Sequence, residues 1–80
     1  MPKEIRILGV GCAKCEALYD NVIQALDELG IEAEVVHIKD MIKIASHGVM
    51  TTPGLWVDGK LISQGRIFSV EELKELFKKL

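Results

Sequence analysis

The apolar residues of this chain repeat every two positions, then every three or four, and then every two again, all between residues 4 and 38. Residues 4–7 alternate polar and apolar side chains and Leu8 adds a further apolar residue, which predicts a first strand. Residues 31–38 begin with the same alternation, end as an apolar run and predict a second strand. Between them, apolar residues follow a helical period that Gly30 ends as a left-handed stop: Leu18, Val22, Ala25, Leu26 and Leu29. A strand, helix and strand this close together predict a βαβ unit with a right-handed crossover.

The second half of the chain predicts a short helix and a hairpin. Asp40 is placed to cap a helix that reaches Ser46 and that Gly48 terminates. One face of this helix carries the apolar residues Met41, Ile44 and Ala45. The dipeptide Asp58-Gly59 lies between the apolar runs 55–57 and 61–62. Such a pair between apolar runs is a strong hairpin signal.

The carboxyl end predicts a well-capped third helix. Ser69 and Glu72 have the spacing of a capping box, and Phe68 can pack on Leu73 as a hydrophobic staple. The expected buried stripe is Leu73, Leu76, Phe77 and Leu80. The predicted order is therefore β-α-β-α-β-β-α, an α/β fold with one small sheet flanked by helices.

Composition limits the classes of function. The 80 residues, 49% hydrophobic and 28% charged, predict a single globular domain over residues 1–80. Ten Lys and Arg against twelve Asp and Glu give a net charge of −2, which excludes a strongly basic nucleic-acid-binding surface as a bulk property. The apolar runs are far shorter than the roughly 20 residues of a membrane helix, and the first residues do not resemble a signal peptide. We therefore expect a cytoplasmic protein that binds neither nucleic acid nor membrane.

Both cysteines lie in one motif, Cys12-Ala13-Lys14-Cys15, where the first strand leads into the helix. Two cysteines are too few for a disulfide scaffold. Unpaired N–H groups and the helix macrodipole favour the thiolate of a cysteine at a helix start, here Cys12. Lys14 adds a positive charge with a modest, screened effect. Cys15, one turn along, is expected to lie further inside and to reach a mixed disulfide formed on Cys12.

Three interpretations of this motif compete. Two unrelated structural cysteines are the first. The second is metal binding, because residues 9–15 resemble the loop of heavy-metal-associated copper-chaperone domains and thiolates suit Cu(I) or Zn(II). Those domains run β-α-β-β-α-β, however, and they usually carry Met at the position of Val10. A closed zinc site also needs two further ligands, and His37 and His47 lack a recognised spacing. The third interpretation is thiol–disulfide exchange.

Pro53 favours exchange. Thr51-Thr52-Pro53 immediately precedes the predicted third strand, with the cysteine motif one βαβ unit upstream and a hairpin and helix downstream. With this arrangement the chain resembles the thioredoxin and glutaredoxin superfamily over essentially its full length, and most of all the small thioredoxin-like redox-active disulfide proteins. The resemblance implies a glutaredoxin-sized, four-stranded mixed sheet of order β2-β1-β3-β4, in which only the first two strands are parallel. It also implies a cis Pro53 against the cysteine pair and a Thr52 backbone that pairs with substrate.

The chain departs from the family pattern at several positions. Gly11 precedes the motif where thioredoxins have Trp. Counted back without gaps, Arg6 falls where thioredoxins keep a buried acid for proton transfer, so water or another group would serve or the alignment is offset. Residues 64–67, Gln-Gly-Arg-Ile, replace the Gly-Gly-Asp turn with which glutaredoxins hold glutathione. An exposed, solvated Arg66 is expected there, and glutathione is not the expected reductant.

The sequence therefore predicts a dithiol–disulfide oxidoreductase in which Cys12 attacks and Cys15 resolves. Thr52 and Pro53 are the expected substrate-binding residues, and the supporting residues are Gly11, Ala13 and Lys14. No metal or organic cofactor is expected beyond the redox-active cysteine pair. The expected partners are a thioredoxin-reductase-like disulfide reductase and oxidised proteins, with the chain a monomer. The alternative is a metal-binding or metal-delivery module that uses the same two thiolates.

Overall fold

The computed structural model describes residues 2–11 and 13–80. Its elements follow the predicted order: β1 (Glu4–Leu8), α1 (Ala13–Leu29), β2 (Glu34–Ile38), α2 (Met41–Ser46), β3 (Gly54–Val57), β4 (Lys60–Gln64) and α3 (Val70–Lys79). The four strands form one sheet of order β2-β1-β3-β4. β1 pairs parallel with β2, whereas the β1–β3 and β3–β4 pairs are antiparallel. This is the mixed sheet that the family resemblance implies.

The two faces of the sheet are covered unequally. Ile5 and Ile7 of β1 are fully buried in the main core, which α1 and α3 close from one side. Leu8 points to the opposite face and packs in a smaller cluster with Ile44 and Val49. Polar contacts also join α1 to α3 and to the residue before its cap, because Lys74 donates to Glu28 at 2.9 Å and Asn21 donates to the Phe68 carbonyl at 2.8 Å. The contact with Lys74 holds the pKa of Glu28 below its usual value.

The predicted caps and turns are confirmed. Asp40 accepts hydrogen bonds from the N–H groups of α2, and Ser69 and Glu72 form both bonds of a capping box at α3. Asp58 and Gly59 both have positive φ, 47° and 93°, the pattern of a type I′ hairpin turn. These features rest on contacts within a few residues, so the local sequence determines them.

Three details of the prediction are wrong. The second strand begins at Glu34 and not at residue 31, because Ile31 N–H donates to the Leu26 carbonyl and closes a Schellman motif after α1. On α2, Ile44 is buried, but Met41 is 74% exposed and Ala45 is exposed, since this short helix touches the sheet at one point. Leu80, at the end of α3, is 43% exposed and does not complete the buried stripe.

The turn residue Asp58 also fastens the start of β1, and this contact predicts a pH dependence. Its carboxylate accepts hydrogen bonds from Glu4 N–H at 2.8 Å and from Lys3 N–H at 3.0 Å, and these bonds lower its pKa. A carboxyl group whose folded pKa is lowered stabilises the fold above its unfolded pKa, and this stability is lost as pH falls through the folded pKa. Asp58→Asn removes the titration and keeps a residue that tolerates positive φ.

We therefore expect the free energy of unfolding of wild type to fall more steeply below about pH 4 than that of Asp58→Asn. Urea unfolding at a series of acidic pH values measures this difference in the free energy of unfolding. Asp20→Asn removes the same charge from an exposed position on α1 and tests whether loss of any carboxylate is sufficient. Identical pH profiles for wild type and Asp58→Asn would contradict the assigned role.

Candidate functional site

The site begins in the loop that follows β1. Gly9 continues the pairing of β1 with β2, because its N–H donates to the Ile38 carbonyl at 3.0 Å. Val10 is 54% exposed, and Gly11 has a φ of +89°, a backbone conformation that glycine adopts without strain. The side chain of Lys39, which directly follows β2, lies along Gly11. The loop is therefore anchored at Gly9 and turned at Gly11, directly before the cysteine motif.

Cys15 is fully buried on the inner face of α1. Its sulfur lies against the backbone of Gly9, so closely that a Cβ added to Gly9 would overlap Sγ. The helix can approach the strand at this point only because residue 9 lacks a side chain. The buried position expected for Cys15 is thus observed. The predicted nucleophile, Cys12, lies outside the described residues.

A third segment, residues 50–53, also lies against Gly9. The Thr52 Cβ lies 3.7 Å from the position a Cβ of Gly9 would occupy, so Thr52 and Cys15 flank the same glycine. The Thr52–Pro53 peptide bond is cis, and Pro53 is fully buried. Among residues 2–11 and 13–80, no hydrogen bond is formed to the N–H or C=O of Thr52. The backbone at Thr52 therefore keeps both its donor and its acceptor available.

The end of β4 forms hydrogen bonds that hold residues 50–53 in place. The side-chain oxygen of Gln64 accepts hydrogen bonds from Met50 N–H at 2.8 Å and from Thr51 N–H at 3.2 Å. Next to it, Gly65 N–H donates to the Pro53 carbonyl at 2.8 Å. The segment before β3 is therefore fixed by the last residue of β4 and the residue after it.

An apolar groove of about 290 Å³ borders the site on the side of α2. It runs from Val10 to Thr52, the two segments that meet at Gly9. Met50, at its rim, is 92% exposed. The remaining lining residues are Met41, Ile44, Ala45 and Val49. Two of the predicted supporting residues, Ala13 and Lys14, are exposed at the start of α1.

Arg6 lies on the opposite face of the sheet from Cys15. Strand alternation points its side chain away from the face on which Gly9, three positions later, lies against Cys15. Its guanidinium donates to Glu4 at 3.0 Å and stacks over the Trp56 ring, 4.2 Å from the ring centroid. It also donates to His47 Nε2 at 2.7 Å, while His47 Nδ1–H donates to the Lys43 carbonyl at 2.6 Å. Arg6 thus closes a polar network, and the partners it has among the described residues all lie away from Cys15.

Arg66 and His37, two residues singled out in the sequence, both stack on aromatic rings. Arg66 is exposed, as expected, and it also forms an ion pair with Glu72 and stacks on Phe68, 4.5 Å from the ring centroid. His37 is partly buried and stacks on Tyr19, with ring centroids 5.7 Å apart. Within the described part of the chain, no three His, Cys, Asp or Glu residues are grouped as ligands of a metal ion. No helix there is long and apolar enough to cross a membrane.

Comparison with known proteins gives the family. The sequence model of the thioredoxin domain family matches residues 3–78. The chain belongs to the thioredoxin family. A thioredoxin of Methanocaldococcus jannaschii is 49% identical over 74 residues, which are 92% of this chain and 85% of that protein. A thioredoxin of Methanothermobacter thermautotrophicus is 47% identical over 73 residues, 91% of this chain and 95% of that protein.

Family membership decides between the interpretations of the cysteine motif at a general level. The chain is a thiol–disulfide oxidoreductase of the thioredoxin family. These thioredoxins lend no support to the metal-delivery alternative. Thioredoxins carry their electrons on cysteine sulfur and normally need no further cofactor.

Three residues of the site were not predicted from the sequence. Gly9 was assigned only the end of a strand, although a glycine between a strand and a cysteine-bearing helix is a signal of close approach. Gln64 acts through its side chain on residues 13 and 14 positions earlier. Lys39 reaches Gly11 across the β1–β2 pair. No local sequence pattern indicates the roles of Gln64 and Lys39.

The contact between Gly9 and Cys15 predicts a strong and specific coupling. Gly9→Ala introduces a methyl group where Sγ lies, and overpacking of this kind costs about 1–3 kcal/mol. In a Cys15→Ala background the sulfur is gone, so the same substitution should cost less. A residual cost remains, since the added Cβ would lie 3.2 Å from the Cβ of residue 15.

Urea unfolding of the four proteins in this double-mutant cycle measures the coupling, expected to be about 0.5–3 kcal/mol. Additive costs would show that Gly9 is not required for the approach of α1.

Proposed function

We propose that this chain reduces disulfide bonds of other proteins with Cys12 as the nucleophile and Cys15 as the resolving thiol. The observation that carries the proposal is the meeting of three segments at Gly9. Cys15 is buried on one side of this glycine, Thr52 flanks it on another, and the loop leading to Cys12 starts from it. A buried thiol beside an accessible backbone segment suits a resolving cysteine next to a bound substrate.

The exchange proceeds in two steps that together move two electrons. The Cys12 thiolate attacks one sulfur of the substrate disulfide; a Cys12–substrate disulfide forms and the second substrate sulfur leaves as a thiolate. Cys15 then loses its proton and attacks Cys12 Sγ, which forms the Cys12–Cys15 disulfide and releases the first substrate sulfur. The dithiol is oxidised, the substrate disulfide is reduced to two thiols, and the released thiolates take up the protons.

The surface around the site suits a protein substrate. The N–H and C=O of Thr52 point to a short β-like pairing with an extended segment of the substrate, as the family resemblance implies. The groove between Val10 and Met50 offers apolar contact area beside that segment. Together these features support Thr52 as the residue that pairs with the substrate backbone, next to the buried Pro53.

The expected partners follow from this chemistry. A reductase of the thioredoxin-reductase type restores the Cys12–Cys15 dithiol, and oxidised proteins consume it. A reducing compartment, the cytoplasm, fits a chain whose two cysteines cycle between thiol and disulfide. The monomeric state, the single domain over residues 1–80 and the independence from glutathione remain predictions.

The assignment of roles predicts different reactivities for the two thiols. Cys15→Ser leaves only Cys12, and Cys12→Ser leaves only Cys15. We expect Cys12 to react with iodoacetamide about tenfold faster at neutral pH, because a cysteine at a helix start has a lowered pKa whereas Cys15 is fully buried. Alkylation rates against pH, followed by mass spectrometry, measure this. A faster and more acidic Cys15 would reverse the roles.

The order of the two steps predicts which variant retains its substrate. Cys15→Ser can attack but cannot resolve, so it should accumulate a covalent complex with an oxidised protein such as insulin. Cys12→Ser is the matched control and should form none. Non-reducing gels, with reversal by dithiothreitol, measure the complex, and the wild type should reduce the insulin catalytically. Equal complexes from both variants would contradict the proposed order, and no turnover by wild type would contradict the function.

A further inference from the structure

The side chain of Lys39 crosses the loop that leads to Cys12. Its Cε lies 3.7 Å, and its Cδ and Nζ each 3.8 Å, from the position where a side chain on Gly11 would begin. Gly11 immediately precedes Cys12 in the sequence. The ammonium group is therefore placed at the residue that immediately precedes the proposed nucleophile.

The backbone that carries Lys39 is fixed on both sides. Before it, the Ile38 carbonyl accepts a hydrogen bond from Gly9 N–H at 3.0 Å. After it, the Asp40 carboxylate accepts from Ile42 N–H at 2.8 Å and Lys43 N–H at 3.3 Å as the cap of α2. The backbone of Lys39 is thus hydrogen-bonded to the same loop that its ammonium group reaches. This limits how far the charge can move from Gly11.

The charge of Lys39 is not neutralised within the described residues, where its ammonium forms no hydrogen bond or ion pair. Arg6, Arg66 and Lys74, by contrast, each bind a carboxylate. A cation near a thiol favours the thiolate over the thiol.

We propose that Lys39 stabilises the thiolate of Cys12 and so sets the reactivity of the exchange site. The inference rests on the proposed role of Cys12 and deepens it. Lys39 does not react; it acts through the Cys12 sulfur by favouring loss of its proton to solvent before attack.

Several other charged groups lie on the segments around this loop. Lys14 and Glu16 are exposed in the first turn of α1, and Asp40 follows Lys39 but is engaged as a helix cap. His37 on β2 stacks on Tyr19. Residues 50–53, on the remaining side, carry no charge. Of these groups, Lys39 is the cation whose side chain lies along Gly11.

The test separates the charge of Lys39 from the packing of its stem. Lys39→Met keeps a long apolar side chain and removes the charge, whereas Lys39→Arg keeps the charge. Both are made in the Cys15→Ser background, so that only Cys12 is alkylated. Lys43→Met removes the same charge from an exposed position on α2 and is the control.

We expect Lys39→Met to shift the iodoacetamide rate profile to higher pH, with a rate about twofold to fourfold lower below the midpoint at low ionic strength. Lys39→Arg should restore the parent profile, and Lys43→Met should keep it. The difference should shrink at about 1 M salt, where the screening length falls to about 3 Å, whereas a packing defect would not respond to salt.

A Lys39→Met profile that coincides with the parent profile, or an equal shift in Lys43→Met, would overturn the inference. If wild type nevertheless reduces insulin and Cys12 reacts faster than Cys15, either outcome would contradict only the role of Lys39 and would leave the proposed function intact. If wild type does not reduce insulin, the proposed function fails as well.

Discussion

The Cys15 sulfur rests on the backbone of Gly9, and this contact determines how closely α1 approaches β1. Any larger residue at position 9 would have to displace the sulfur or the helix. β1 lies in the interior of the sheet between β2 and β3, so the loops that leave these strands are positioned by the same strand. The relative placement of the buried Cys15 thiol, the loop before the motif and residues 50–53 therefore depends on the close approach at Gly9.

The site is assembled from segments far apart in the sequence, and its rigidity comes from a strand that contributes no reacting group. Gln64 holds the N–H groups of Met50 and Thr51, and Gly65 holds the Pro53 carbonyl. β4 is joined to β3 by the two-residue turn at Asp58, so the segment before β3 is restrained from both ends. This restraint keeps Thr52 beside Gly9, and the Thr52 N–H and C=O form no hydrogen bond within the described residues.

The sequence predicted the features that depend on neighbours a few residues away. The helix caps at Asp40 and Ser69 and the hairpin at Asp58 are local, and the sheet order followed from the family resemblance. The start of β2 is an exception, since the prediction missed the local Schellman motif in which the Ile31 N–H closes the end of α1. Contacts that cross strands were not predictable, and Lys39 lies beside Gly11 only through strand pairing. Arg6 aligned with a buried acid by counting residues, but its surroundings depend on α2 and Trp56.

The placement of Arg6 bears on how Cys15 loses its proton. The face that carries Cys15 is a continuous apolar core, whereas Arg6 binds Glu4 and His47 on the other side of the sheet. The position at which thioredoxins keep a buried acid therefore offers no proton acceptor on the Cys15 side. In the proposed exchange, however, the first attack releases a substrate thiolate at the site. Thiols have ordinary pKa values near 8.5, far above those of Asp and Glu, so the released substrate thiolate is a stronger base than an ordinary carboxylate. It can therefore take the proton of Cys15 even though burial disfavours the Cys15 thiolate, and resolution by Cys15 needs no carboxylate on β1.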